Sequence, residues 1–405
     1  MERLIGILGI FVLLGIAYAM SANRKAISYR IVLWGLGLQL FFALFILKTP
    51  IGQPFFGAVD GAIRKLLSFS EAGSTFLFKS YVTGKMEAPL INFAFNTLPT
   101  IIFFSALMAL LYHLGVMQWV VKWIARAMQK TMGTSGSETL SVSANIFVGQ
   151  TEAPFIVRPF IDGMTRSELM AVMTGGFATM AGGVMAIYVS MLGHIPGIAG
   201  HLMAASIMSA PAALVMAKII YPETEDSETL GELKITMEKT SDNTMEAITR
   251  GTSDGLKLAV NVGAMLVAFL AIIAMINSLL GLVGLSLETI LGFIFRPLAW
   301  TMGVPWAESG IVGSLMGKKI ILTELVAYSD LSEMRNLNAI TDRSAIIASY
   351  AVCGFANFAS IGIQIGGIGG IAPGRRKDLA KLGLKAMIGG ALASWLTATI
   401  AGILI

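Results

Sequence analysis

Gln150, Thr151 and Glu152 stand side by side in VGQTEAPFIVRP (148–159), inside an apolar stretch and just ahead of Pro154. A carboxylate only accepts hydrogen bonds, whereas an amide and a hydroxyl both give and accept them. Three such groups can read a ligand that carries several donors and acceptors. Glu324 repeats the theme in IILTELVAYS (320–329), again an ionisable group in an apolar run. A third cluster lies in CGFANFASIGIQIGGIGGIAPG (353–374). There Asn357 and Ser360 are three apart, hence on one helical face, while Phe355 would lie elsewhere on a regular helix.

These groups sit in a chain of 405 residues that is 55% hydrophobic and only 13% charged. An ordinary soluble domain carries about 25% charged residues, so much of this surface must face lipid. Runs such as Ile5–Met20, Ile31–Leu47, Thr100–Leu114, Leu256–Leu285 and Leu384–Ile405 approach or exceed the ~20 residues that cross a hydrocarbon core. The chain is therefore an all-α integral membrane protein. An ionisable residue inside such a span costs about 2.5 to 3.5 kcal/mol and is by default functional. The alternative for each carboxylate is a structural role, held by an intramolecular arginine or lysine. Lys318 and Lys319 lie five and six residues before Glu324, a spacing that does not stack them on its face.

The net charge of +5 is spread over loops, so nucleic acid is not an expected partner. Cys353 is the single cysteine, which excludes an intramolecular disulfide and any cysteine metal site. His113, His194 and His201 are too scattered for a histidine metal cluster.

The first spans, near 4–20 and 31–48, flank a loop with Arg24, Lys25 and Arg30. Positive loops stay cytoplasmic, so the N-terminus is expected outside and the first helix retained, despite a cleavage-like Ala17-Tyr18-Ala19. The segment from Pro54 predicts an interfacial helix, and a third span is expected over 92–114. Lys122, Arg126 and Lys130 share one face of 116–130, with Trp119 and Trp123 on another. That pattern predicts an amphipathic helix at the headgroups or, alternatively, a helix packed on its own protein. Segments 138–160, 167–192 and 200–220 follow, then a polar loop at 221–250 with eight acidic and three basic residues. A long span is expected at 255–285, an interrupted segment at 291–328 with Pro297 and Pro305, a glycine-rich one at 344–372, and a final span after PGRRKD (373–378). The count is about eight full spans plus two broken segments. Interrupted segments placed alike in two halves point to a transporter site near the midplane.

Successive helical residues point about 100° apart, so Gln150, Thr151 and Glu152 cannot address one pocket from a regular helix. Pro154 also disfavours helical backbone at Ala153. A re-entrant hairpin turning at Gly149–Pro154 solves both problems, and such backbone survives only when lining protein or a watery cavity. The resulting inventory is two carboxylates, two amides, hydroxyls and an aromatic face, with no cation. Arg158, the nearest candidate, lies beyond the tip. That set suits a neutral ligand with hydroxyl donors and a flat ring.

At these residues the chain resembles the concentrative nucleoside transporter family along nearly its full length. The matching stretches are ANIFVGQTEAPFIVRPF, GGFATMAGGVMAIY, GVPW, TELVAYS, CGFANFASI and APGRRKDLA. The resemblance implies a sodium-coupled symporter, not an enzyme, working as a homotrimer in the inner membrane; the basic PGRRKD, expected to be cytoplasmic, puts the C-terminus outside with the N-terminus, both periplasmic. It implies about eight transmembrane helices, two re-entrant hairpins, interfacial helices and an inverted repeat. A scaffold (1–135 and 221–290) would carry a sliding transport domain (136–220 and 291–405). Gln150, Thr151, Glu152 and Val184 would contact the nucleobase of a nucleoside such as uridine. Phe355 would pack on base or sugar, and Glu324, Asn357 and Ser360 would hold the ribose hydroxyls. Sodium would sit on the side chains of Asn145 and Thr179 and the carbonyls of Val148 and Met180. Thr323 and Leu325 replace the family's usual asparagine and phenylalanine beside the glutamate, and Thr179 replaces an expected serine. Some relatives use protons, so proton coupling is the alternative.

Two other classes compete. A hydrolase using Glu152 or Glu324 as base would need an activated nucleophile or metal, yet the histidines are scattered and no aspartates pair within spans. A channel or transporter for another polar solute fits the composition, but not the matched motifs and twin carboxylates.

Overall fold

The computed structural model describes residues 2–90, 94–95, 98–230 and 241–405, and among these no strand occurs. The start of the third expected span and residues 231–240 of the polar loop lie outside the described residues. Three helices open the chain: α1 (Glu2–Ala19), α2 (Tyr29–Lys48) and α3 (Gly52–Phe78). The segment from Pro54 thus belongs to one continuous helix of 27 residues. α4 (Leu98–His113) meets α5 (Val116–Met132) at a bend of 76°. Gly115 makes that bend with φ +79°, a left-handed backbone that glycine adopts without penalty.

α5 packs on its own protein by one face, the second of its two sequence readings. Met117, Val121, Ala125, Met128 and Met132 form its buried stripe, packed toward α2 and the next helix, while Trp119 and Trp123 are exposed.

The remaining helices fall into two series of like order. In the first, α6 (Gly136–Ala144) turns through residues 145–152 into α7 (Ala153–Ile156). Then α8 (Arg166–Ala178) and α9 (Gly182–Met191) form one broken span, and α10 (Ile198–Ile220) closes the series. In the second, α13 (Trp306–Ile321) turns at 322–323 into α14 (Glu324–Asn336). The broken pair α15 (Asp342–Ala351) and α16 (Phe358–Ile371) leads to α17 (Arg376–Leu404). Between the series run α11 (Thr244–Gly281) and α12 (Leu287–Thr301), the latter lying against α13.

The second interruption falls where the prolines do not. Pro297 lies inside α12, which continues across it, and Pro305 is the residue before α13. Pro154 also differs from expectation. Ala153 is helical, the first residue of α7, because a proline in the first turn lacks only an N–H that no helix partner needs.

α8, α10 and α17 are enclosed on nearly every side, which their all-round apolar sequences allow. α11 instead packs on α4 and leaves Leu256, Val260, Val267, Met275 and Leu279 exposed. Gly251 and Gly255 permit that pairing, since added Cβ atoms would stand 2.7 and 2.8 Å from α4 atoms. Among the described residues, five helices are long and apolar enough to cross a membrane, or six with the α4–α5 pair taken as one. The broken helices of the two series are shorter by construction.

Candidate functional site

Capping starts the first arm of hairpin 1 and forms the tip of the second hairpin. Ser135 begins α6 with a capping box, its backbone N–H donating to Glu138 Oε1 at 2.9 Å. Gly133-Thr134-Ser135-Gly136 has the G-x-S-G spacing of a hydrolase nucleophile, but here Ser135 is the residue that starts α6. At the second tip Thr323 caps α14, so Glu324 occupies the first helical position. The N-terminal end of a helix favours negative charge, one reason a buried carboxylate can stand there.

The two helix breaks touch. Residue 354 is left-handed (φ +85°), and a Cβ on Gly354 would lie 2.6 Å from the Phe177 and Ala178 carbonyls. The break at 352–357 therefore presses directly on the end of α8. Hairpin 1 reaches the same place, since the Gly182 N–H donates to the Phe147 carbonyl at 2.9 Å.

A hydrogen-bonded chain runs through this junction. The Tyr188 hydroxyl donates to Glu324 Oε1 at 2.9 Å, and Asn357 Nδ2 donates to Glu324 Oε2 at 3.0 Å. Asn357 caps α16, its Oδ1 accepting from the Ser360 N–H at 2.9 Å. Asn357 and Ser360 thus meet through a cap, not through a shared helical face. Gln150 Nε2 donates to Ser360 Oγ at 3.2 Å, and Gln364 Nε2 donates to Gln150 Oε1 at 3.0 Å. Gln150, Glu324, Asn357 and Ser360 are all buried.

The other expected residues surround this chain. Thr151 faces α16, where a Cβ on Gly367 would stand 3.0 Å from its methyl. Glu152 is exposed, with its carboxylate folded back over Gly149. Val184 is buried near the start of α9, and Phe355 is half-buried in the break itself.

One cation lies nearer to Glu324 than its sequence spacing suggested. Lys319 is fully buried at the junction and within electrostatic reach of Glu324. Its ammonium donates to the carbonyls of Ala351 (3.2 Å) and Cys353 (2.5 Å) and to Ser394 Oγ (3.3 Å). An ammonium has three N–H groups, so Lys319 has none left for a ligand. A cation backs the site but does not line it. Lys318 is committed elsewhere, to Glu288 at 2.9 Å and to Asp330.

The residues expected to hold sodium lie beside hairpin 1. Asn145 ends α6, Val148 is in the turn, and Thr179 and Met180 form the break between α8 and α9. Asn145 Nδ2 donates to the Ser141 carbonyl at 3.3 Å, but its buried Oδ1 has no hydrogen-bond partner among the described residues. Thr179 Oγ1 donates to the Gly175 carbonyl at 2.9 Å and keeps lone pairs to offer. Neutral oxygens on broken backbone, one of them orphaned, fit a hard monovalent cation.

Four participants escaped the sequence reading. Tyr188 and its stacking partner Tyr328, with ring centroids 4.2 Å apart, gave no local signal in the sequence. Lys319 gave charge but no position. Gln364 could have been found, because Asn357, Ser360 and Gln364 are spaced i, i+3, i+7.

Comparisons with known proteins agree along the chain. A family model described as "Na+ dependent nucleoside transporter C-terminus" matches residues 201–402, its N-terminal counterpart matches 8–81, and one for "Nucleoside recognition" matches 94–195. An uncharacterized transporter of Haemophilus influenzae is 45% identical over 100% of this chain and 98% of its own. Sodium/nucleoside cotransporter 1 of Mus musculus is 43% identical over 100% of this chain, which spans 64% of that protein. Among solved structures, CNTnw in an inward-facing substrate-bound state is 42% identical, covers 100% of this chain and 98% of its own, and superposes with TM-score 0.92. A substituted form of CNTnw in an outward-facing state gives TM-score 0.92 at 41% identity, covering 100% of this chain and 98% of its own.

Proposed function

The chain belongs to the concentrative nucleoside transporter family, and from that premise we propose that it is a symporter carrying nucleosides such as uridine into the cell on a sodium gradient. The observation that carries the reading is Glu324, a buried carboxylate held by Tyr188 and Asn357 where two broken helices and a hairpin tip converge. A carboxylate with lone pairs remaining accepts from a sugar diol, and Asn357 and Ser360 flank it to complete the grip on ribose. Gln150, Thr151, Glu152 and Val184 address the base, with Phe355 supplying an aromatic face.

Sodium binds Asn145, Val148, Thr179 and Met180 and is carried along as co-substrate. Val148 lies two residues before Gln150 in the same turn. Ordering the turn around the ion therefore fixes the base-reading side chains. Reciprocally, a bound nucleoside raises sodium affinity by the same factor.

Alternating access is supported by a relative solved in both inward- and outward-facing states. In this chain the two helical series (136–220 and 291–405) form the moving transport domain, and 1–135 with 221–290 the scaffold. The exposed apolar face of α11 supports assembly as a homotrimer. The basic loops at 24–30 and 375–377 support an inner-membrane topology with both termini periplasmic.

The test is radiolabelled uridine uptake into proteoliposomes under an inward sodium gradient, an inward proton gradient, or neither. Accumulation on sodium alone is expected. Proton-driven accumulation would keep the substrate and remove the sodium site. No uptake of uridine or adenosine under any gradient, by folded protein, would overturn the reading.

A further inference from the structure

Gln364 belongs to no ligand set described above, yet it is buried and placed against the amide most exposed to ambiguity. A glutamine side chain can present either its oxygen or its NH2, and only its surroundings decide which. Gln364 Nε2 donates to the Met173 carbonyl at 3.1 Å. A backbone carbonyl only accepts, so this contact fixes which end of the Gln364 amide points that way. The second N–H of the same nitrogen donates to Gln150 Oε1 at 3.0 Å. The oxygen of Gln150 is thereby turned into the protein, and its NH2 outward. One of those two N–H groups goes to Ser360 Oγ at 3.2 Å, which leaves one for a ligand.

Resting on the nucleoside reading above, we infer that Gln364 is a positioning residue that locks Gln150 so that it offers the base a donor, and thereby selects bases presenting an acceptor there.

Two further observations support the lock. Gln364 Oε1 is buried with no hydrogen-bond partner among the described residues. The fold tolerates an unsatisfied acceptor, normally costly, while both donors are used on fixed partners. Gly176 faces both amides: a Cβ there would stand 2.7 Å from Gln364 Nε2 and 3.0 Å from Gln150 Cβ. Only glycine lets the pair close over α8.

The inference separates Gln364 from a residue that merely fills space. Gln364→Met keeps volume and removes both donors. Uridine KM should rise about tenfold, the scale of one lost polar contact to substrate, while Vmax and the half-saturating sodium concentration stay within about twofold. The decisive arm is a double-mutant cycle with Gln150→Met. If Gln364 acts through Gln150, adding Gln364→Met to that background should change uridine KM by less than about twofold. An equal rise in both backgrounds, or an unchanged KM in the single variant, overturns the proposal. Gly176→Ala should reproduce the KM effect, and serves where Gln364→Met does not fold. An unchanged KM in folded Gly176→Ala also counts against the lock. Uridine uptake by the unsubstituted protein is measured alongside. Its absence would sink the nucleoside reading itself, whereas its presence with an additive cycle would sink only the lock.

Discussion

The hydroxyl of Tyr188 donates to Glu324 Oε1 across 2.9 Å, joining α9 of the first helical series to α14 of the second. The Tyr188 ring is stacked on Tyr328, one turn further along α14. The phenol therefore cannot swing away without unstacking. It holds one carboxylate oxygen in place, and Asn357 holds the other.

Replacing Tyr188 with phenylalanine keeps the stack and removes the hydrogen bond. A bond to an ionisable partner contributes about 1.5 to 3 kcal/mol. Uridine KM is expected to rise roughly tenfold or more, with the protein still folded by size-exclusion chromatography. An unchanged KM would show that Asn357 alone orients the carboxylate.

Glu324→Gln changes acceptor for donor at one oxygen. The new NH2 must face either the Tyr188 hydroxyl or Asn357 Nδ2, both of which donate in the native arrangement. Uridine binding by isothermal titration calorimetry is expected to vanish. Retained binding would argue that ribose is held elsewhere.

Asn145→Ala removes the orphaned oxygen beside the turn. On the proposed linkage of ion and nucleoside sites through residues 148–150, the sodium-activation curve should shift to at least about tenfold higher sodium, a typical coupling magnitude. Saturating sodium should restore most of the uridine affinity. A curve that does not move would take Asn145 out of the ion site.

Gly354→Ala meets two obstacles: a left-handed backbone and carbonyl groups 2.6 Å away. Strain and overpacking each cost about 1 to 3 kcal/mol. A clearly lower unfolding temperature in detergent is expected, together with loss of uptake. A variant as stable as the parent would mean that the two helix breaks can separate freely.

A second buried pair makes a stability prediction away from the site. Lys218 on α10 meets Glu138 on α6 at 2.7 Å, both almost fully enclosed. Lys218→Met leaves Glu138 buried without its partner, which costs about 3 to 5 kcal/mol. The thermal transition should fall markedly. Lys218→Met with Glu138→Gln should recover much of it, whereas no recovery would place the cost in packing.

Composition and hydropathy by themselves determined that this is a helical membrane protein, because a chain so poor in charge has no other solvent. Local chemistry fixed the first tip as well: three polar side chains before a proline cannot share a pocket from a regular helix. That Asn357 and Ser360 lie close together was legible from their spacing, but they meet through an N-cap and not, as expected, on one helical face. The second tip was not legible. Pro305 does mark the gap between α12 and α13, but Pro297 is carried inside α12, and the tip itself falls just before Glu324, where no proline stands.

Only the tertiary structure decided which polar groups meet. Tyr188 lies 136 residues from Glu324, and Gln150 lies 214 residues from Gln364. No periodicity connects such pairs. Lys319 shows the same limit. Its charge was visible in the sequence, but whether that charge reached the ligand depended on three acceptors from α15, the break after it and α17. A residue's type is written locally, whereas the spending of its donors and acceptors is settled by whatever packs against it from elsewhere in the chain.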